Sequence, residues 1–362
     1  MKSGPAVVAT LLIAACAPTG TGSTTTAATP GNSTTSAAPV TTSSAASAPT
    51  TDAIPTGPGL LAAGLDDAPL AVPAEDGGAF SPSYLIPVGL VDDDRTYLAI
   101  MGYDDDPAQR GMTLWVEEGG TWSKLPEPLF TDLGLGLEPP GPIATSLVET
   151  ADGSWLAFGW GSPAGEPDTS SIWGATSFDL AGPWEAISDQ VLEPGPAGSW
   201  DDGGVNSPSV IRTEDGYMML YDGWSAEPGD QVGLATSSDG LTWTREPEPV
   251  MAPGADGAFD ARSIQIPRLA LTPDGWFMAY MGLEADIQQP GRVGLATSHD
   301  LTSWSKLGIG LQPSDVPSDL GVHTIAFDFR DGELSLLAEV LGETRSEVWR
   351  ATAAPSDLLQ AG

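Results

Sequence analysis

The chain has 362 residues and carries 13 basic against 49 acidic side chains, a formal net charge of −36. That length allows one large domain, or two of medium size, with a real core. The charge excludes a nucleic-acid partner, because phosphate binding needs a basic surface, and it disfavours adhesion of the folded part to anionic lipid. The one cysteine, Cys16, leaves no internal disulfide framework and no cysteine-ligated metal site. The acidity itself reads as solubility outside the cell.

The chain opens with Lys2 and the apolar run PAVVATLLIAA, which ends just before Cys16. This is the length of a signal peptide and too short for a spanning helix, which needs about 20 apolar residues. LIAAC, residues 12–16, resembles a bacterial lipobox, which implies a signal over 1–15, cleavage before Cys16 and a lipid on it. The alternative is an ordinary secretory signal with an incidental cysteine. Residues 16–56 are almost all Ala, Ser, Thr, Pro and Gly. With no apolar set to offset chain entropy, this stretch is expected to be a disordered tether with a mean reach of about 35 Å. The expected location is extracytoplasmic, with contact to the bacterial membrane only through the lipid.

Residues 57–362 are expected to form one repeating domain. Asp94-Arg95, Asp152-Gly153, Asp215-Gly216, Asp274-Gly275 and Asp331-Gly332 each precede an apolar or aromatic run, at spacings of 58, 63, 59 and 57 residues. Asp-Gly between apolar runs is a strong hairpin signal, in which both central residues take positive φ. A second marker ends on Trp122, Trp184, Trp243 and Trp304, which lie 62, 59 and 61 residues apart. Each unit therefore reads as four antiparallel strands, the last bearing the tryptophan. Five such units at a fixed period predict an all-β fold, a five-bladed β-propeller with four strands per blade. The fifth unit ends before its Trp strand, so residues 58–73 are expected to supply the missing outer strand and close the ring.

The phrases SPSVIRTEDGYMMLYDGW and VGLATSSDGLTWTRE resemble the five-bladed propellers of the furanosidase type. These are glycoside hydrolases of the arabinanase, xylosidase, levanase and invertase group, with the mannoside phosphorylases nearby. The likeness runs over most of residues 76–351. It implies a polar axial funnel that binds an oligo- or polysaccharide, and a pair of carboxylates for glycoside hydrolysis. In the family a carboxylate usually stands just before the Pro or small residue that opens an inner strand. Those places hold Ser81, Gly141, Ser207 and Ile266, none of which transfers protons as that mechanism requires.

Other groups are candidates to replace them. Aligning WDDGGVNSP with FDARSIQIP and DLGVHTIAF matches Asn206 with Gln265 and His323, and places Phe80 and Pro140 at the same point of the first two units. Amide and imidazole groups donate to and accept from sugar hydroxyls, and an aromatic face stacks on a sugar ring. Asp76, Asp201, Asp202, Asp260 and Arg262 lie on the loops just before the inner strands, and Glu138 on the loop of the second unit. In a hydrolase, Asp202 with Asp260 or Glu138 would be the acid and base, and Asp76, Asp201 and Arg262 would contact substrate. In the alternative these side chains cap turns. The resemblance also implies that His323, in the fifth blade, helps hold an axial Ca²⁺ through water; no cofactor is otherwise expected. Two functions stay open: a glycosidase, or a non-catalytic surface propeller that binds glycan or protein. A monomer is expected in either case.

Overall fold

A computed structural model describes residues 57–71, 84–92, 96–103, 110–118, 121–126, 128–131, 133–138, 141–226, 229–284, 291–317, 321–342 and 345–361. Cys16, Asp76, Phe80, Ser81 and Pro140, with the expected signal and tether, lie outside the described residues. Five antiparallel sheets follow one another along the chain, each beginning with its inner strand and ending with its outer one. The inner strands are Tyr84–Asp92, Ile143–Glu149, Gly204–Thr213, Ser263–Thr272 and Val322–Arg330, which open blades 1 to 5. Blades 1 to 4 have four strands and blade 5 has three, so the chain folds as the expected five-bladed β-propeller.

The repeated markers are turn devices. At Asp331 (φ 54°) and Gly332 (φ 89°) both central residues take positive φ, as the Asp-Gly signal predicts. At Gly216 and Gly275 only the glycine does, because Glu214-Asp215 and Pro273-Asp274 form the loops and the glycine already pairs as the first residue of the next strand. The tryptophans of blades 2 to 4 do not lie within strands. Trp184, Trp243 and Trp304 precede the outer strands and donate through Nε1 to the carbonyls of Leu180, Gly240 and Leu301. A serine and an aspartate lock the same turn: Ser237 Oγ accepts from Gly240 N, and Asp239 Oδ1 from Leu241 N and Thr242 N.

Blade 5 is closed from the front of the chain. Asp66 N donates to Arg350 O and Leu70 N to Val348 O, and Val348 N donates back to Ala71 O. Residues 65–71 thus cover the edge of Ser346–Ala353 as an irregular fourth strand, where residues 58–73 were expected. Just before it, Leu60 N and Leu61 N bond to Ile309 O and Gly310 O of blade 4. Leu61 is fully buried in the core cluster that also contains Leu358 of the C-terminal helix. Truncating a buried leucine costs roughly 2–5 kcal/mol. Leu61→Ala is therefore expected to lower the unfolding free energy read from denaturant titration by that amount, even though Leu61 lies outside every blade.

Adjacent blades join at the same point each time. Val205 N donates to Ser170 O between blades 2 and 3, and Ile264 N to Asp230 O between blades 3 and 4. Gly291 bridges Val322 between blades 4 and 5, and Leu85 N donates to Ser346 Oγ where blade 5 meets blade 1. Along the axis the inner strands expose free edges, which side chains satisfy. Arg268 Nε donates to Ile325 O (2.7 Å), and its Nη1 donates to Ser207 O and Pro267 O (both 2.9 Å), tying blades 3, 4 and 5 across the channel. Burial pulls its pKa down to about 10, with Asp222 acting the other way. A cavity of about 290 Å³ lies on one side of Arg268, lined by the later halves of all five inner strands. The strand heads surround the opposite mouth.

Candidate functional site

Blades 3, 4 and 5 each begin with a polar residue at the mouth of the channel. Asn206 pairs across the blade with Asp222, and Gln265 with Met281. His323, one residue beyond the Val322–Val340 pair, lies opposite Glu339. The three occupy the same register position of their blades, so they stand at one level around the axis. Just after Asn206 and Gln265 the strands bulge, and Ser207 (φ 51°) and Ile266 (φ 52°) adopt the left-handed region. For a β-branched residue such as Ile266 this costs of order 1–3 kcal/mol unless its surroundings hold it. Asp222 does so: its Oδ1 accepts from Ile266 N at 2.9 Å, and its carboxylate also takes a hydrogen bond from the Ser207 side chain.

Behind the ring stand two groups of buried acids. In blade 5, Glu339 is fully buried and accepts from Thr324 Oγ1 (2.9 Å) and Ser346 Oγ (2.7 Å). It also meets His323 Nδ1 at 3.0 Å, which fixes the imidazole and leaves Nε2 for another partner. In blade 3, Asp230 Oδ2 accepts from Ser263 Oγ (2.6 Å) and Gln265 Nε2 (2.7 Å) of blade 4. Asp222 and Asp230 are 2 % and 5 % exposed. Burial first, and then the charge of Asp230, push the Asp222 carboxyl up to about 7; burial also raises Asp230. The pair therefore retains a proton well above the ordinary carboxylate range. Asn206 Oδ1 is buried without a hydrogen-bond partner, a deficit of about 1–3 kcal/mol.

The structure gives the sequence candidates other tasks. Asp201 and Asp260 are each 1 % exposed and face away from the channel, into their own blades. Asp201 Oδ2 pairs with Arg245 Nη1 (2.5 Å) and accepts from Tyr221 Oη (3.2 Å). Asp260 Oδ2 does the same with Lys306 Nζ (2.6 Å) and Tyr280 Oη (3.0 Å). Trp200 stacks on Tyr221 and Phe259 on Tyr280 at 5.8 and 6.1 Å. Glycines make room for the phenols: a Cβ at Gly233 or Gly294 would lie 2.3 or 2.2 Å from the tyrosine ring. Burial and the adjacent carboxylate raise both tyrosine pKa values, keeping the phenols protonated as donors. Asp260, expected as a catalytic acid, and Asp201, expected as a substrate contact, are thus each ion-paired and packed beside a stacked aromatic pair. Asp202 Oδ2 caps Gly198 N (2.7 Å) and Glu138 Oε1 caps Gly165 N (2.8 Å), in separate turns. These two were expected as catalytic acids, and both act as turn caps. Arg262 is exposed, covers Gly229 and lends positive charge to Asp230.

The carboxylate beside His323, Glu339, already holds three partners. No group of three His, Cys, Asp or Glu side chains converges among the described residues. Asp222, Asp230, Glu339 and Arg268 escape a reading confined to inner-strand heads. The first and third sit on second strands, opposite the ring positions, and the two-residue alternation of the hairpins YDG and AEV carried that signal.

No family model matches the chain. A stretch of 142 residues is 25 % identical to a 1,2-beta-oligomannan phosphorylase of Thermoanaerobacter sp. (strain X514), covering 37 % of this chain and 47 % of that protein. The match thus spans about half the length of that relative. Among solved structures, a member of the GH130 family of mannoside phosphorylases and glycoside hydrolases that target beta-1,2 mannosidic linkages superposes with a TM-score of 0.57. Identity is 19 %, over 80 % of this chain and 92 % of that one. A glycosyl hydrolase from Bacteroides ovatus superposes with a TM-score of 0.58 at 19 % identity, over 80 % and 91 % of the two chains. The fold is that of the glycoside hydrolase-like propellers, and the curated relative and the first of these structures are of mannoside phosphorylase rather than furanosidase type.

Proposed function

We propose that the protein binds an oligosaccharide, of β-1,2-linked mannoside type, at the upper mouth of its axial channel, and does so without cleaving it. The observation that carries this reading is the level ring of Asn206, Gln265 and His323, two of whose side chains are oriented by buried carboxylates behind them. Amide and imidazole groups held in this way present fixed donors and acceptors to sugar hydroxyls. The relatives supply the substrate class, since the one is a 1,2-beta-oligomannan phosphorylase and the other belongs to a family whose glycoside hydrolases target β-1,2 mannosidic linkages.

Binding without turnover follows from the carboxylates. Glycoside hydrolysis needs two carboxyl groups flanking the bond at roughly 5–10 Å. Asp222 and Asp230 instead lie together beneath the ring, and Asp201, Asp202, Asp260 and Glu138 are engaged elsewhere. Phosphorolysis needs cations for the phosphate; among the described residues near the channel Arg245 and Lys306 are paired with aspartates, Arg268 is capped by carbonyls, and the charge of Arg262 acts on Asp230. The lipobox-like Cys16 and the tether after it would hold this binding domain at the outer face of the membrane.

Calorimetry with a β-1,2-linked mannotetraose tests the reading, alongside an assay for released mannose and mannose 1-phosphate with and without phosphate. Saturable binding with no released sugar is expected. Absence of binding overturns the ligand class, and sugar release overturns the non-catalytic reading.

A further inference from the structure

Gln265 is held on three sides by one pair of acids from the neighbouring blade. Its Nε2 donates to Asp230 Oδ2, the preceding residue Ile264 donates from its N to Asp230 O, and the following residue Ile266 donates from its N to Asp222 Oδ1. With one Nε2 hydrogen given to Asp230, the amide still has Oε1 as an acceptor and a second N–H as a donor. The groups facing the pair are Ser207 of blade 3 and Ser263, Arg262 and Arg268 of blade 4. Two guanidinium groups in that surrounding offset one negative charge readily; a second buried charge at the same seam repels the first. The comparable seam between blades 5 and 1 carries a single acid: Glu339 bonds Ser346, which stands where Asp230 does and bonds Leu85 N.

We propose that Asp230 is the positioning residue for Gln265, and that it holds the amide only while the neighbouring Asp222, bonded to Ile266 N, keeps its proton, so that sugar binding at the ring is proton-linked. This deepens the reading of the ring as a glycan site and rests on it. Burial and the mutual charge of the pair place the loss of that proton at about pH 7. Below this pH the seam is intact and Gln265 is aimed. Above it the two carboxylates repel across the blade 3–4 boundary, and the grip on residues 264–266 loosens.

Mannotetraose affinity of the full chain is compared at about pH 6 and about pH 8.5. The wild type is expected to lose roughly tenfold per pH unit above the transition, the limit for a ligand that needs one bound proton. Asp222→Asn, whose amide stands in for the protonated acid, is expected to keep its affinity at the higher pH. Asp230→Ala is expected to bind weakly at both. A pH-independent wild type, or the same decline in Asp222→Asn, overturns the inference. A second measurement needs no sugar. A folded-state pKa above the ordinary value means stability that is complete below about pH 4 and lost as pH rises through about 7, so the thermal midpoint of the wild type should fall across that window and that of Asp222→Asn should not. Identical profiles overturn the retained proton. Failure to bind mannotetraose at either pH, with the stability difference present, counts against the glycan reading alone.

Discussion

Replacing Gln265 and His323 together by alanine is expected to weaken binding of β-1,2-linked mannotetraose by about 100-fold. Each side chain offers a sugar hydroxyl one oriented hydrogen bond, worth about 1–1.5 kcal/mol net, and the two stand on different blades, so their losses should add. The fold should survive the change. Gln265 is partly exposed, and Glu339 keeps Thr324 and Ser346 when His323 is removed. Calorimetry reads the affinity and circular dichroism checks the fold. A double variant that binds as the wild type does would move the ligand away from the ring. Glu339→Gln gives a graded companion, since a neutral amide retains the contacts of Thr324 and Ser346 while holding the imidazole less firmly; a smaller loss is expected.

Lys306→Met is expected to cost about 3 kcal/mol of stability with no effect on sugar affinity in the folded fraction. It strands the Asp260 carboxylate, whose side chain is 2 % exposed, without its ion-pair partner. Removing one member of a buried pair leaves an uncompensated charge, worth about 3–5 kcal/mol in fully buried cases; the half-open position of Lys306, 30 % exposed, argues for the lower end. Lys306→Met with Asp260→Asn removes that charge and should recover part of the loss, because the amide still accepts from Tyr280. The denaturant midpoints of the four proteins in the cycle measure the coupling. A large loss of sugar affinity in folded Lys306→Met would return Asp260 to the binding machinery.

The two predictions separate the repeat from the site. Asp201 and Asp260 drew attention because they recur beside an aromatic at matched positions, and that recurrence has a packing cause. In blades 3 and 4 the incoming loop is fastened to the second strand by the Trp200–Tyr221 and Phe259–Tyr280 stacks, each with a shared carboxylate. The ring residues share a position too, but differ in chemistry from blade to blade, as Asn, Gln and His. The second-strand acids Asp222 and Glu339 carry a weaker local signal. Within their own hairpins they look like solvated polar positions, and only the cross-strand register sets them behind the ring.

The sequence by itself determined the architecture. Turn residues at intervals near sixty and apolar alternation between them specify four-strand units, five of them, and the truncated fifth unit calls for an added edge that residues 65–71 supply. These are local signals, carried by turn chemistry and the two-residue period of strands. The tertiary structure alone decided which polar groups are neighbours. Asp222 and Asp230 come from blade 3 and Gln265 and Ile266 from blade 4, and they meet only when the two blades pack together and burial raises the pKa of Asp222. Charge burial and hydrogen bonding across a blade seam depend on distances between residues about 35 to 44 apart in the chain, to which no local periodicity is sensitive.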